Sequence, residues 1–458
     1  MKKEYDVIIA GAGAAGITAT LTAARRGLRV LLIDKNGYPG GMNTAAMICP
    51  LMTFHAGKRQ IIKGIAQEII DRLAQKGATL GHIPDPIGMA STITPIDTEA
   101  LKIVYFELLS EEKNITLLLS TWIEDVTCTE RCLKNIMMVN KSGKNTYAAK
   151  VFIDATGDGD IASMCHTEFE LGRDKDGMAQ PMTQIFTLGG VDFLPVIDYM
   201  KKNPEQFILN IDCDLKKYVA VSGFFDLVTR ARCAGDFSLP RDRVLFFQGV
   251  YPGEVLVNMS RVTERSGINA EDITFAQIEA HRQIQMLVFF FKKYIPGFKN
   301  CHIQKIAPAI GVRESRRIVG METLTTEAVI HSSENKNSVA MCAFPIDIHD
   351  PVGNELNWIR KEKSCCYDIP YGVMVPERPD NLLVTGRCIS ATHEALASAR
   401  ITATVMALGQ AAGNAAVSAI QKDCAFSAVD PAEIQKNLVL QGAVPGKHWL
   451  KNDENGIV

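Results

Sequence analysis

The chain has 458 residues, of which 47% are hydrophobic and 22% charged, enough for a protein with more than one core. A formal net charge of −2, without a single-sign run, provides no basic field for a nucleic-acid backbone. Uninterrupted apolar runs such as Met286 to Phe291 fall far short of the roughly 20 residues that span a bilayer. Nucleic acid is therefore not an expected partner, and no membrane span is expected. Twelve cysteines stand singly, apart from Cys365-Cys366, with no Cys-x-x-Cys and no zinc-like spacing. This argues for reduced thiols, no metal and no iron–sulfur cluster of the chain's own. Val7-Ile8-Ile9-Ala10 is too short for a signal core, and the expectation is a cytoplasmic protein.

Tyr5 to Ala10 is a short apolar β-run, followed by Gly11-Ala12-Gly13-Ala14-Ala15-Gly16 and an alanine-rich amphipathic stretch to Arg26. A second β-run, Val30 to Ile33, ends in Asp34 and Lys35. Strand, glycine turn, helix and an acidic residue about 20 positions on form the fingerprint of dinucleotide binding. Gly11 permits the tight turn, Gly13 admits a pyrophosphate close to the backbone, and Gly16 lets the helix sit against the strand. The first helical amides, at Ala14 and Ala15, face the phosphates, and Asp34 accepts from the adenosine ribose. A glycine turn alone would equally suit a bend with no ligand. The four features in register favour the nucleotide.

Gly37 to Thr44, with Gly41, Met42 and Asn43, reads as backbone passing a flat ring or phosphate, or as a surface turn. From Thr116 to Ile153, short β-runs broken at Lys141-Ser142-Gly143-Lys144 predict a small antiparallel sheet, and Ile123 within it is a candidate cofactor contact. Val151 to Ile153 then leads into Asp154-Ala155-Thr156-Gly157, a second place where backbone closes over a dinucleotide. Near the other end, Asn381 to Thr385 predicts a strand ending at Gly386-Arg387, and Ile401 to Ile420 a helix of small residues opening at Thr402 and Ala403. Because both ends build one nucleotide-binding core, the middle must be inserted. The expected organisation is α/β: a Rossmann-type domain from 1–165 and 376–430, an inserted α+β substrate domain at 166–375, and a tail at 431–458, with Lys447 to Val458 polar.

These motifs recur in order along nearly the whole chain with Met52-Thr53-Phe54-His55, Gly311-Val312-Arg313-Glu314-Ser315-Arg316-Arg317, Asp347-Ile348-His349-Asp350-Pro351 and Leu383 to Gly413. Together they resemble bacterial FAD-dependent oxidoreductases related to the flavoprotein subunits of succinate dehydrogenase and fumarate reductase, within the glutathione-reductase-like superfamily. The resemblance implies bound FAD, a glutathione-reductase-like two-domain fold with substrate between the domains, and redox chemistry at the flavin. It implies no one substrate. Asp34 stands where many flavoproteins carry Glu, and the paired cysteines of disulfide reductases are missing, so thiol–disulfide exchange is not expected.

Arg313, Arg316 and Arg317 would share a helix face if this segment were helical, either to hold a carboxylate or phosphate by forked hydrogen bonds or to pair with Glu314 and Glu322. Arg400 is placed like the substrate-binding arginine of the fumarate reductase relatives. His393 and His349, read as loop residues flanking strands, are the first candidates for the proton that accompanies a hydride, followed by His55. Tyr367 and Tyr371 fit a packed loop rim better than a polar contact. The expected activity is hydride transfer between FAD and a small polar organic substrate, with an anionic group or a strongly hydrogen-bonding one; the alternative is a flavin-bearing electron-transfer subunit of a larger redox complex. The electron acceptor stays open, and a homo-oligomer is compatible with the sequence.

Overall fold

The computed structural model describes residues 5–129, 131–209, 213–351, 356–359 and 365–453. A five-stranded parallel sheet runs Leu382–Val384, Ala149–Asp154, Tyr5–Ala10, Val30–Ile33, Ile115–Leu118. Its central strands are almost wholly buried, as expected of a parallel sheet covered on both faces. Leu382–Val384 docks beside Ala149–Asp154, so the two ends of the chain do share one sheet. The predicted antiparallel insertion is also present as Trp122–Cys128, Leu133–Asn140 and Gly143–Tyr147, with the last pair turning between Asn140 and Gly143.

The Ala14–Arg25 helix packs along the Thr402–Lys422 helix. Two glycines allow this closeness. A Cβ at Gly409 would lie 2.0 Å from the Ala15 carbonyl oxygen, and one at Gly413 would lie 2.6 Å from that of Ala19. The Thr18 hydroxyl donates across the seam to the Met406 carbonyl at 2.8 Å. Thr402–Lys422 is the one helix among the described residues with the length and apolar composition of a membrane span, but 89% of that window is buried in the protein.

A second core draws on residues from Phe186 to Cys301. Its antiparallel sheet is ordered Ala220–Gly223, Val244–Gln248, Val255–Val257, Phe186–Gly189, His302–Ile306. One face buries Val244, Phe246, Val255 and Val257 against the helices Phe193–Lys202, Phe225–Cys233 and Ala270–Tyr294. The opposite face, through Ala220, Phe247 and Leu256, joins Met47, Ile87 and Ile93 of the first domain in a separate apolar cluster. The sheet is thus buried on both sides.

The inserted unit is narrower than the expected 166–375. Apolar residues of 324–346 and 366–375 pack into the first core, where the paired strands Ser338–Cys342 and Tyr367–Pro370 are buried and the former lies against the Thr402–Lys422 helix. The expected tail is also structured in part. Asp430 caps a Pro431–Leu440 helix that buries Ile434 and Leu438, and a Lys447–Asp453 helix follows, buries Leu450 and is tied down by Lys447 N donating to Asp368 at 2.8 Å. Residues 454–458 of that tail lie outside the described residues.

Replacing a mid-helix glycine with alanine ordinarily gains about 1 kcal/mol. At Gly409 the overlap with the neighbouring backbone reverses this, and Gly409→Ala is expected to lose about 1–3 kcal/mol of unfolding free energy. Urea denaturation at constant flavin content measures it; a stabilised variant would show that the helices separate without cost.

Candidate active site

One long cavity, of about 290 Å³, runs between the glycine turns and the second sheet. Gly11, Gly13, Ala14, Ala15, Asp34, Lys35, Gly41, Met42, Asn43, Ala155, Thr156, Gly157, Gly386, Arg387 and Thr402, all candidate cofactor contacts from the sequence, line it. The glycines of the first turn divide by role. Gly11 has φ +95°, and a Cβ there would meet the Ala155 carbonyl oxygen at 2.4 Å; a Cβ at Gly16 would meet the Gly11 oxygen at 1.8 Å. Packing demands both. Gly13, with φ −76°, is different: a Cβ would meet nothing nearer than Gly41 Cα at 3.9 Å and would project into open space. The protein's own atoms do not require glycine at this position, whereas a diphosphate lying against the backbone would.

The first helix has no side-chain cap, so its opening amides remain available to an anion at the cavity wall. Asp34 is held by Ala12 N at 2.6 Å and Asn36 N at 2.7 Å, and burial raises its pKa despite these bonds. It is a fixed acceptor beside Lys35 and Asn36. Arg387 donates to Asp158 at 2.7 Å and to Ser315 at 2.9 Å, which closes the floor below Gly157. These residues fit a long dinucleotide. Three expected contacts lie off the lining: Gly16 serves helix–strand packing, Ile123 packs its strand against the apolar layer under the parallel sheet, and Ala403 is buried within its helix.

The other end of the cavity holds Arg241, Arg313, Arg400, Asp347 and His349. Arg313 donates to the Pro181 carbonyl at 2.5 Å and to the Thr183 hydroxyl at 2.6 Å. Arg400 reaches Gln180 at 3.3 Å while its Nε has no partner among the described residues. Arg241, 4% exposed, leaves Nε and Nη2 without one. Burial and then the neighbouring Arg261 push the Arg241 guanidinium down to about 10. Burial and Arg400 drive Arg313 well below its ordinary value, and burial lowers Arg400.

Burial opposes the charge on Asp347, but His349, Arg400 and Arg313 hold its carboxyl below the usual range. His349 Nε2 lies 3.3 Å from Asp347, and Nδ1 has no partner among the described residues. Burial and then Arg313 push the imidazole down to about 3, so it is neutral near pH 7. A carboxylate only accepts, so the Nε2 proton faces Asp347 and Nδ1 carries the lone pair. The result is an excess of buried cationic donors and a proton acceptor beside them.

Several sequence expectations change here. Residues 312–316 form no helix and lead into the short strand Arg317–Ile318, so the three arginines diverge. Only Arg313 enters the cavity; Arg316 pairs with Asp160 at 3.1 Å, and Arg317 pairs with Glu314 and with Glu170 at 3.1 Å. His393 does not line the cavity. It opens the His393–Ala399 helix, capped by Thr392, with Nδ1 2.9 Å from the fully buried Glu314. His349 ends a strand, Ile346–His349, which aims it at the cavity. His55 lies off the lining, bonded to Thr92 at 3.2 Å, and Tyr367 and Tyr371 spend their hydroxyls on Ser398 and the Phe426 carbonyl. Arg241 escaped sequence reasoning because Pro240-Arg241-Asp242-Arg243 before an apolar run reads as a solvated turn.

A family model described as FAD dependent oxidoreductase matches residues 6–438. Short stretches resemble curated proteins: 48% identity over 46 residues to Protein FixC of Azorhizobium caulinodans, covering 10% of this chain and 11% of that one. The 3-oxosteroid 1-dehydrogenase of Mycolicibacterium smegmatis is 49% identical over 39 residues, covering 8% of this chain and 7% of that one. The chain thus spans only about a tenth of the length of the curated relatives it matches. Among solved structures, p-nitrophenol 4-monooxygenase PnpA from Pseudomonas putida aligns with a TM-score of 0.49 at 11% identity over 97% of this chain and 87% of that one.

The two kinds of glycine separate experimentally. Gly13→Val should cost the flavin-free protein no more than about 1 kcal/mol, the scale of an N-cap preference, while abolishing flavin retention. Gly16→Val should lose both fold stability and flavin. Flavin absorbance and thermal melting read the two out, and full flavin content in Gly13→Val would make this glycine a mere turn residue.

Proposed function

The chain belongs to the FAD-dependent oxidoreductase family, and on that premise we propose that it moves a hydride between FAD and a small organic anion held by Arg241, Arg313 and Arg400. The carrying observation is the imbalance at the far end of the cavity, where three guanidinium groups line the wall with one carboxylate, Asp347, and where Arg241 at Nε and Nη2 and Arg400 at Nε have no partners among the described residues. Buried cations without matching anions are costly, and a bound carboxylate would offset that cost with forked, charge-assisted bonds. A carrier that only passed electrons would have no use for such a pocket.

When bound, FAD supplies the two-electron acceptor. The chain's own residues divide the remaining work. The glycine turn and the first helix hold the diphosphate, and Asp34 the ribose. The arginines fix the anionic group and hence the orientation of the carbon that exchanges hydride. His349 takes or returns the accompanying proton at Nδ1, with Asp347 fixing its tautomer through Nε2. His393, tied to Glu314 away from the lining, holds the segment that leads to Arg400.

Each charge-assisted bond is worth roughly 1.5–3 kcal/mol, so Arg241→Met and Arg400→Met should each lower kcat/KM for anionic substrates by about 10–100-fold while FAD stays bound. Wild-type kcat/KM in both variants, with any carboxylate that reduces the flavin, would overturn the anion site.

His349→Gln should slow flavin reduction by about 10²–10⁴-fold. Its depressed pKa of about 3 also sets a pH signature. A base works only when unprotonated, so His349 contributes no titration to kcat/KM between about pH 5 and 8. A bound anion offsets the field of Arg313 and raises the pKa, so in the complex kcat declines as pH falls at a higher pH than kcat/KM does. Coincident acid limbs would remove His349 from the proton transfer.

A further inference from the structure

The cavity wall opposite the glycine turns is one face of the antiparallel sheet, and a strand's period of two decides which side chains it displays. In Val244–Gln248, Val244 and Phe246 enter the core under the helices, while Leu245 and Phe247 face the cavity. Arg243, one period earlier, also lines it. Phe247 pairs with Ala220 on one side and Leu256 on the other. Leu245 pairs with Ser222, and its carbonyl accepts from Asn258 N at 3.1 Å. Successive rows across the face therefore run from Arg243, through Ser222, Leu245 and Asn258, to Ala220, Phe247 and Leu256. Polarity falls in one direction along the strands.

The segment leading into the Phe186–Gly189 strand of the same sheet repeats the gradient. Thr183 lies beside Arg313 at the charged end, and Ile185 follows it two residues on, within the apolar cluster. Ile87 and Met89 complete the apolar end from a loop that Asp85 holds rigid, its carboxylate accepting from Ile87 N at 3.0 Å, Met89 N at 2.7 Å and Ala90 N at 2.9 Å. A wall ordered in advance loses little freedom when a ligand covers it.

We infer that the substrate is an amphipathic organic anion: its charged head sits on Arg241, Arg313 and Arg400, and an apolar body several carbons long lies along Ile185, Leu245 and Phe247 toward Ile87 and Met89. The inference rests on the anion-binding reading above and narrows it from a small polar metabolite to a carboxylate with a hydrocarbon or aromatic tail. A compact, fully polar anion would leave the apolar rows uncovered.

Equilibrium dialysis of the FAD-loaded protein against labelled n-alkanoates from acetate to octanoate tests it, with the matching 1-alkanols as neutral probes. The expected result is a Kd that falls about fourfold per added methylene, the scale of burying one CH₂, with each alkanol at least tenfold weaker than its acid. Phe247→Ser and, because Phe247 also joins the two domains, the loop variant Met89→Ser should flatten this slope to less than twofold per methylene. Affinities independent of chain length, or a slope unaltered in both variants, would overturn the amphipathic substrate and leave the anion site standing. Alkanols binding as tightly as alkanoates would overturn the anion site. Absence of binding by every probe would overturn both.

Discussion

Contact between two helix backbones that only glycine permits governs much of this molecule. Gly409 and Gly413 let the Thr402–Lys422 helix lie directly on Ala14–Arg25, with the Thr18 hydroxyl bonded across the seam. The glycine turn after Tyr5–Ala10 and the opening residue Thr402 of the later helix consequently border the same cavity. A wider separation would move Thr402 and the preceding Arg400 away from the turn. The nucleotide end and the charged end are thus positioned by one packing event, although their residues come from opposite ends of the chain.

The charged end illustrates how a protein can hold an unfavourable arrangement ready for a ligand. Burial disfavours the charges on Arg241, Arg313 and Arg400, Arg313 is opposed further by Arg400 and Arg241, and Asp347 balances only part of that charge. The surrounding cores supply the compensating stability, among them the apolar cluster that joins Met47, Ile87 and Ile93 to Ala220, Phe247 and Leu256. Burial first, and then the field of Arg313, keeps His349 neutral. Charge selection and proton acceptance then have a common physical origin.

How much of this was legible in the sequence depended on how local each feature is. Gly11 to Gly16 and Asp34 announce themselves because turn, helix start and strand end lie within one βαβ unit, and the cavity gathers the backbone contacts expected from it. The sheet formed by both chain ends was equally readable from its apolar runs. Ile123 misled because a strand's period shows which side is apolar but not which layer covers it. Arg313, Arg316 and Arg317 mislead because their helical spacing falls on a segment that forms no helix. His393 and His349 looked equivalent as residue types, and only the tertiary placement of Glu314 and Asp347 assigns them different surroundings. Arg241 carried no local signal at all, since its importance comes from the sheet that buries it.

The order of strands has a consequence for how the molecule is made. Tyr5–Ala10 is made well before one of its sheet partners: its neighbour Ala149–Asp154 must in turn wait for Leu382–Val384, and its covering helix for Thr402–Lys422. The Rossmann layer therefore cannot close until nearly the whole chain has been synthesised, whereas the core from Phe186 to Cys301 is built from consecutive segments and can condense earlier. Until then the apolar faces of the early strands are exposed to chaperones and to other nascent chains. Expression yield should thus respond more to the rate at which the stretch encoding residues 382–422 is translated than to the rate over residues 5–33.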